Sequence, residues 1–219
     1  NWDGPIINKN NFYLYHNPKT DKISYIPYDL DNTFGIDWFG ENWATTVIYD
    51  WSKYSGQYRP IYDELMAVPE YRDRYSYHMD ELISTSFSSA NLGMYLEEKL
   101  EMISPYRVSD TYAEQDYGYD YDDFIDSYES GLWGHIEIGL QPYINTRINS
   151  IASQLDLNAI APAVKELYHD WSEDLIQFHG QVYDDGGVTQ VNFNYSIQGE
   201  AWEQEPVTGL DLISFTHDF

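Results

Sequence analysis

The stretch "NNFYLYHNPKTDKISYIPYDLDNTFG", Asn10 to Gly35, constrains the fold more than any other part of the chain. Phe12 to Tyr15 is rich in strand-forming residues. "HNPKTDK" carries turn chemistry in Asn17-Pro18 and Asp21, and Ile23 to Pro27 forms a return strand. The pattern predicts a β-hairpin, which returns the chain to the place it left. Asp29, just past the return strand, is thereby carried back towards Asp3, just before the outgoing one. Two acids, Asp29 and Asp31, stand where the apolar run ends. That placement suits a capped surface turn, a metal site or a catalytic loop.

Beyond the aromatic and glycine-bearing loop "IDWFGENWATT" the period changes from two to that of a helix. In "RPIYDELMAVPEYRDRYSYHMDELIS", Ile61, Leu65 and Met66 share one helical face. Pro69 opens a second helix, and Tyr71, Tyr75, His78, Met79 and Leu82 form its apolar face. Asn91 is placed to cap a third helix, Leu92 to Ile103. "SDTYAEQDYGYDYDDF" reads as a long acidic loop. Helix returns in the segment from Asp123 to Leu157, where Ile144, Ile148, Ile151 and Leu155 align. Pro162 marks a boundary. After it, Ile176, Phe178, Gly180 and Val182 alternate on one strand face, and Val191, Phe193, Tyr195 and Ile197 on another, on either side of a "DDGG" turn. This tail resembles strands of an immunoglobulin-type sandwich, and it is shorter than the roughly seven strands of a complete one. The fold class expected is α+β, with a helical portion over residues 1–160 and a β-rich segment over 161–219.

Charge narrows the partners. Eleven Lys and Arg stand against 37 Asp and Glu, a net charge of −26. Phosphate backbones and anionic membranes need a basic face, so nucleic acid and charged lipid are poor partners. No run approaches the ~20 apolar residues of a membrane span. Cysteine is absent, which excludes disulfides and thiolate metal sites. The chain starts at "NWDG" without a Met and stops at "SFTHDF", as a piece of a longer protein would.

The chemistry-bearing pattern begins at Asp3. Asn8 follows it five places later, the spacing of a kinase catalytic loop, where the acid handles the acceptor hydroxyl and the amide oxygen holds a metal ion. Asp29, at the end of the hairpin, stands where the second, metal-bridging acid is needed. Phosphoryl transfer is mostly positioning and charge neutralisation, so a few hard oxygen donors around Mg²⁺ form a sufficient set.

The same residues resemble the signature of the CotH kinase family, the spore-coat-protein-H type of atypical secreted protein kinase. The family pattern is an acid, an Asn before a "YYLY"-like strand, a "PKTGK"-like turn and an "IPWDLD-TFG"-like block. Here Tyr28 stands where Trp is common and Asp21 where Gly is common. "RPIYDELMAVPEYRDRY" and "GLQPYINTRINSIASQL" resemble the family's later helices, so the similarity runs over residues 1–157. It implies a kinase-like C-terminal lobe, a hairpin plus helices, that uses ATP with Mg²⁺ or Mn²⁺ to phosphorylate Ser or Thr of an extracellular or coat protein, as a secreted or cell-surface enzyme. By position Asp3 matches the catalytic acid and Asp29 the metal-binding acid. Asn8 by spacing and Asn11 by the aromatic block both match the metal-binding amide, and Asp31 matches a second metal ligand or a loop brace. Kinases of this kind also need an upstream lobe with a phosphate-binding Lys. No G-x-G-x-x-G or Walker-type loop occurs in these 219 residues, so the fragment is expected to be inactive alone.

Rival readings remain open at this point. One is a non-catalytic coat-assembly or surface protein on the same scaffold. Another is a calcium-dependent adhesion module, with Asp116, Asp120, Asp122 and Asp123 as hard oxygen donors in a loop that lacks EF-hand spacing. The tryptophans of "DWFGENW" anchor a loop to the core, or stack on a sugar or an adenine.

Overall fold

The hairpin forms as its pattern dictates. In the computed structural model β1 (Phe12–Asn17) pairs with β2 (Lys22–Pro27), and Asp21 takes the left-handed φ of 53° inside the connecting turn. The structure describes residues 1–52, 56–115, 117–172, 175–196, 201–207 and 214–218. The chain divides into two units. One comprises residues 1–12 and 27–157, and the other comprises residues 13–26 and 158–219. The hairpin therefore groups with the C-terminal strands, while its two ends belong to the helical unit.

The helical unit contains α1 (Pro60–Ala67), α2 (Pro69–Ser84), α3 (Ser89–Ser109), α4 (Tyr121–Asp126) and α5 (Leu140–Gln154). Pro60 and Pro69 both occupy the first turn of a helix, where a missing N–H costs nothing. α5 presents the predicted stripe: Ile144 and Ile151 are buried, and Ile151 packs with Ile48 and Ile83 in the principal core cluster. The faces of the first two helices differ in part from expectation, since Tyr75 and Met79 pack against that cluster as expected while other positions do not. Ile61 and Leu65 of α1 lie exposed, and the side turned inward carries Tyr62. On α2 the buried positions are Ser76 and Ile83, while Tyr71, His78 and Leu82 face solvent. The reason is a polar core beside the apolar one. The hydroxyls of Tyr62 and Tyr75 both donate to the carbonyl of Ile48, at 3.0 and 3.1 Å, and Tyr49 and Ser76 share a hydroxyl bond of 2.6 Å. Burial of such groups is favourable only when they are bonded, and sequence period alone does not see those bonds. The buried guanidinium of Arg147 donates to Thr46 O at 2.6 Å and lies over the Trp51 ring.

Helix ends also moved. α3 starts at a cap on Ser88, not Asn91, since the Ser88 hydroxyl accepts from Asn91 N. It runs past Ile103 and through Pro105 to Ser109, where Arg107 donates to the carbonyls of Tyr119 and Asp120 at 2.6 and 2.9 Å. The expected acidic loop ends in a short helix, α4. Asp120 and Asp123 cap it reciprocally, each accepting the other's backbone N–H at 3.0 and 2.9 Å. Asp116 lies outside the described residues.

In the other unit β3 (Ala163–Ser172), β4 (Leu175–Tyr183) and β7 (Ser214–Asp218) form one antiparallel sheet in the order β3-β4-β7. β5 (Asn192–Tyr195) pairs with β6 (Glu203–Pro206). The "DDGG" turn thus joins two sheets and does not close a hairpin of β4 on β5. Val182 and Val207 are buried between them with Phe193, whose ring lies 4.6 Å from that of Phe178. Lys19 in the hairpin turn pairs with Asp170 of β3 at 3.0 Å, and Lys22 donates to Val164 O at 3.2 Å. Ile197 lies outside the described residues. The protein is α+β with small antiparallel sheets.

Candidate functional site

The candidate site lies at the ends of the hairpin, within the helical unit. Asp3 is half-buried, and both of its carboxylate oxygens are held: Asn8 Nδ2 donates to Oδ1 at 2.5 Å and Asn11 Nδ2 to Oδ2 at 2.8 Å. The Asp3 backbone N–H donates to Asn1 Oδ1 at 2.9 Å. An Asn amide that gives its N–H₂ to a carboxylate keeps its Oδ1 for another partner, and Oδ1 is the atom a hard cation takes. Both candidate asparagines give their Nδ2 to Asp3, and these bonds do not separate them. Burial does distinguish them, since Asn11 is buried and Asn8 exposed.

Backbone bonds bring the second acid to the same place. Tyr28 N donates to Asn11 O at 3.1 Å, which closes the hairpin one residue before Asp29, and Asn1 Nδ2 donates to Asp29 O at 3.2 Å. Asp29 has a φ of 52° and Asn11 a φ of 56°. Asn and Asp are the non-glycine residues that best tolerate this left-handed region, and backbone of this kind concentrates where side chains are aimed for function. Asp29 is exposed. Asp31, two residues on, accepts from the Asn32 side chain at 3.0 Å and is exposed. Among the described residues no group of three or more His, Asp or Glu lies close enough to hold a metal ion. A cation here would rest on the Asp29 carboxylate with an amide oxygen of Asn8 or Asn11 added, beside Asp31. That all-oxygen set suits Mg²⁺ or Mn²⁺ better than a softer metal.

Two supporting residues escaped the sequence reading. Arg59 is buried just before α1, and its guanidinium donates to Ile7 O at 2.6 Å and to Ile6 O. It fixes the segment between Asp3 and Asn8 from a point more than fifty residues away. Its own N–H donates to Asp63 Oδ2 at 2.5 Å. A buried Arg bonded to backbone carbonyls has no local sequence signature. Asp37 is the other. It is buried and accepts four N–H groups: Phe39 at 3.1 Å, Gly40 at 2.6 Å, Glu41 at 3.1 Å and the Trp43 indole at 2.7 Å. Burial pushes its carboxyl up, but these donors outweigh it and hold the group below the ordinary carboxylate range. The spacing Asp-x-x-Gly before a Trp was the available signal for this loop. Trp2, beside Asp3, donates its indole N–H to Ile36 O at 3.0 Å and meets the Phe39 ring edge-on at 5.0 Å. The Asp37 loop and the Asp3 loop thus support each other.

Residues 1–147 match the family model described as CotH kinase protein, which is about two thirds of the chain. The chain belongs to the CotH family. No curated protein and no solved structure gives a significant match. Among the described residues no helix is long and apolar enough to cross a membrane.

Proposed function

We propose that the chain is the catalytic portion of a CotH-type protein kinase that transfers the ATP γ-phosphoryl group to Ser or Thr of an extracellular or coat protein. The observation that carries this reading is the pairing of Asp3, clamped by Asn8 and Asn11, with Asp29 at the open end of the hairpin, where Tyr28 N bonds Asn11 O. In this reading Asp3 orients the acceptor hydroxyl and takes up its proton. Asp29 with Asn8 or Asn11, and Asp31 on the outer side, would hold Mg²⁺ or Mn²⁺, which neutralises charge on the phosphates. The hairpin ends and helices α1–α5 serve as the C-terminal lobe of a kinase-like fold over residues 1–160. The two facing sheets after residue 160 serve as part of an immunoglobulin-like module. The strong acidity supports a secreted protein in a saline setting.

The test is transfer from labelled ATP in the full-length protein with Mg²⁺ or Mn²⁺. Asp3→Asn and Asp29→Asn should each abolish labelling, and transfer that survives the double variant refutes the roles given. One observation favours a second reading, a non-catalytic coat-assembly scaffold. Both Asp3 oxygens already accept hydrogen bonds, as a purely structural brace would. ATP binding that depends on divalent metal and is lost with Asp29→Asn distinguishes the two.

A further inference from the structure

Three loops of the helical unit each place aromatic rings beside a glycine of positive φ: Trp38-Phe39-Gly40, Tyr117-Gly118-Tyr119 and Trp133-Gly134-His135, with φ of 75°, 78° and 76° at the glycines. The rings connect in series. Trp38 stacks on His135 with centroids 3.6 Å apart and planes 10° from parallel. His135 meets Tyr117 at 5.7 Å, Tyr117 meets Tyr119 at 5.9 Å, and Tyr119 meets Trp133 at 4.7 Å. The loops are fixed to one another by backbone and side-chain bonds. Ile36 and Ile136 form a β-bridge, Asp37 N donates to His135 O at 2.9 Å, Trp133 Nε1 donates to Tyr117 O at 3.3 Å, and the Tyr119 hydroxyl donates to Trp133 O. The φ of 76° suits Gly134, and a Cβ there would stand 3.0 Å from the Tyr119 hydroxyl, which would have to give way. Despite this bracing, Trp38 is 53%, Trp133 52% and Tyr117 43% exposed.

Large rings held rigidly yet left open to water form a ready binding surface, since little ordering cost remains to be met on binding. The geometry points to this platform as a binding site for a neutral polysaccharide chain, whose sugar rings stack their apolar C–H faces on Trp38 and Trp133. Three observations select that ligand class. The indole N–H of Trp133 and the hydroxyl of Tyr119 are spent within the platform, so it offers ring faces more than donors. Trp38 lies parallel to His135 at 3.6 Å, a gap too narrow for a cationic group, and Tyr117 stands at 81° to His135, so the exposed rings present their faces one after another. The net charge of −26 repels nucleic acid and acidic glycans alike. The platform would hold the protein on a glycan surface while the Asp3 loop acts at the ends of the hairpin.

Native affinity electrophoresis of the 219-residue chain through gels containing hydroxyethylcellulose, laminarin or xyloglucan tests this directly. The expected result is retardation by at least one of these polymers. Trp38→Ala and Trp133→Ala should each weaken it by about tenfold, a loss of about 1.4 kcal/mol, while thermal melting stays within a few degrees of the parent. Trp38→Phe and Trp133→Phe, which keep a ring, should retain most of the binding and serve should an alanine variant fold poorly. No retardation by any polymer overturns the proposal. So does retardation that all four variants leave unchanged, or that ATP or polylysine abolishes, since these assign the rings to adenine or to a basic peptide.

Discussion

Replacing Asp37 by alanine removes one acceptor group that four donors share. The donors are not equivalent. Phe39, Gly40 and Glu41 are exposed, so their backbone N–H groups turn to water at a net cost of roughly 0.5 kcal/mol each, the low end for an ordinary hydrogen bond. Trp43 is buried, and its indole N–H has no water to turn to. Leaving such a donor unsatisfied costs about 1–3 kcal/mol. Asp37→Ala should therefore destabilise the helical unit by about 3 kcal/mol. At about 2–4 °C per kcal/mol for a chain of this size, its melting temperature should fall by about 6–12 °C. Asp37→Asn keeps one oxygen and should lose about half of that. Because the native carboxyl titrates below its ordinary range, its contribution is complete above the unfolded value, about 3.9, and is lost as pH falls through the lower native value. The gap between parent and Asp37→Ala, followed by circular dichroism at 222 nm, should be full at pH 7 and should narrow towards pH 3. A variant that melts within 2 °C of the parent at pH 7 would refute the reasoning, as would a gap that does not change with pH.

Ile144 has no exposed surface, so Ile144→Ala should cost about 2–5 kcal/mol in urea unfolding with little change in the slope. Gly35 has a φ of 92°, and a Cβ there would lie 2.8 Å from both Ile138 Cγ2 and Tyr143 Cδ2, so Gly35→Ala should lower expression and melting temperature together. Burial raises the Tyr62 hydroxyl to about 12. Its stabilising effect is present below the unfolded value near 10 and is lost as pH rises from there through about 12, so Tyr62→Phe should flatten the alkaline decline of stability in that window. Arg59→Met should leave α1 intact but release the Ile6–Ile7 segment, seen as faster amide hydrogen exchange over residues 3–11.

The sequence by itself determined the hairpin, the register of acids around it and the α5 stripe. Each rests on short-range rules: alternation, turn residues, and a helical repeat of a single residue type. The asparagines beside Asp3 were legible for the same reason, since five and eight residues are a loop's reach. Tertiary structure decided the rest. Tyr62 and Ser76 face inward because distant partners satisfy their polar atoms, a condition no local period encodes. α3 passes Pro105 and ends at Ser109, where Arg107 meets carbonyls a dozen residues on. The "DDGG" turn leads to a second sheet, because β4 already has β3 and β7 as neighbours. The Asp3 loop itself depends on Arg59, a cation supplied from beyond the hairpin. Residues close in sequence determine which groups can meet, whereas the satisfaction of buried polar groups is settled only when the whole unit closes around them.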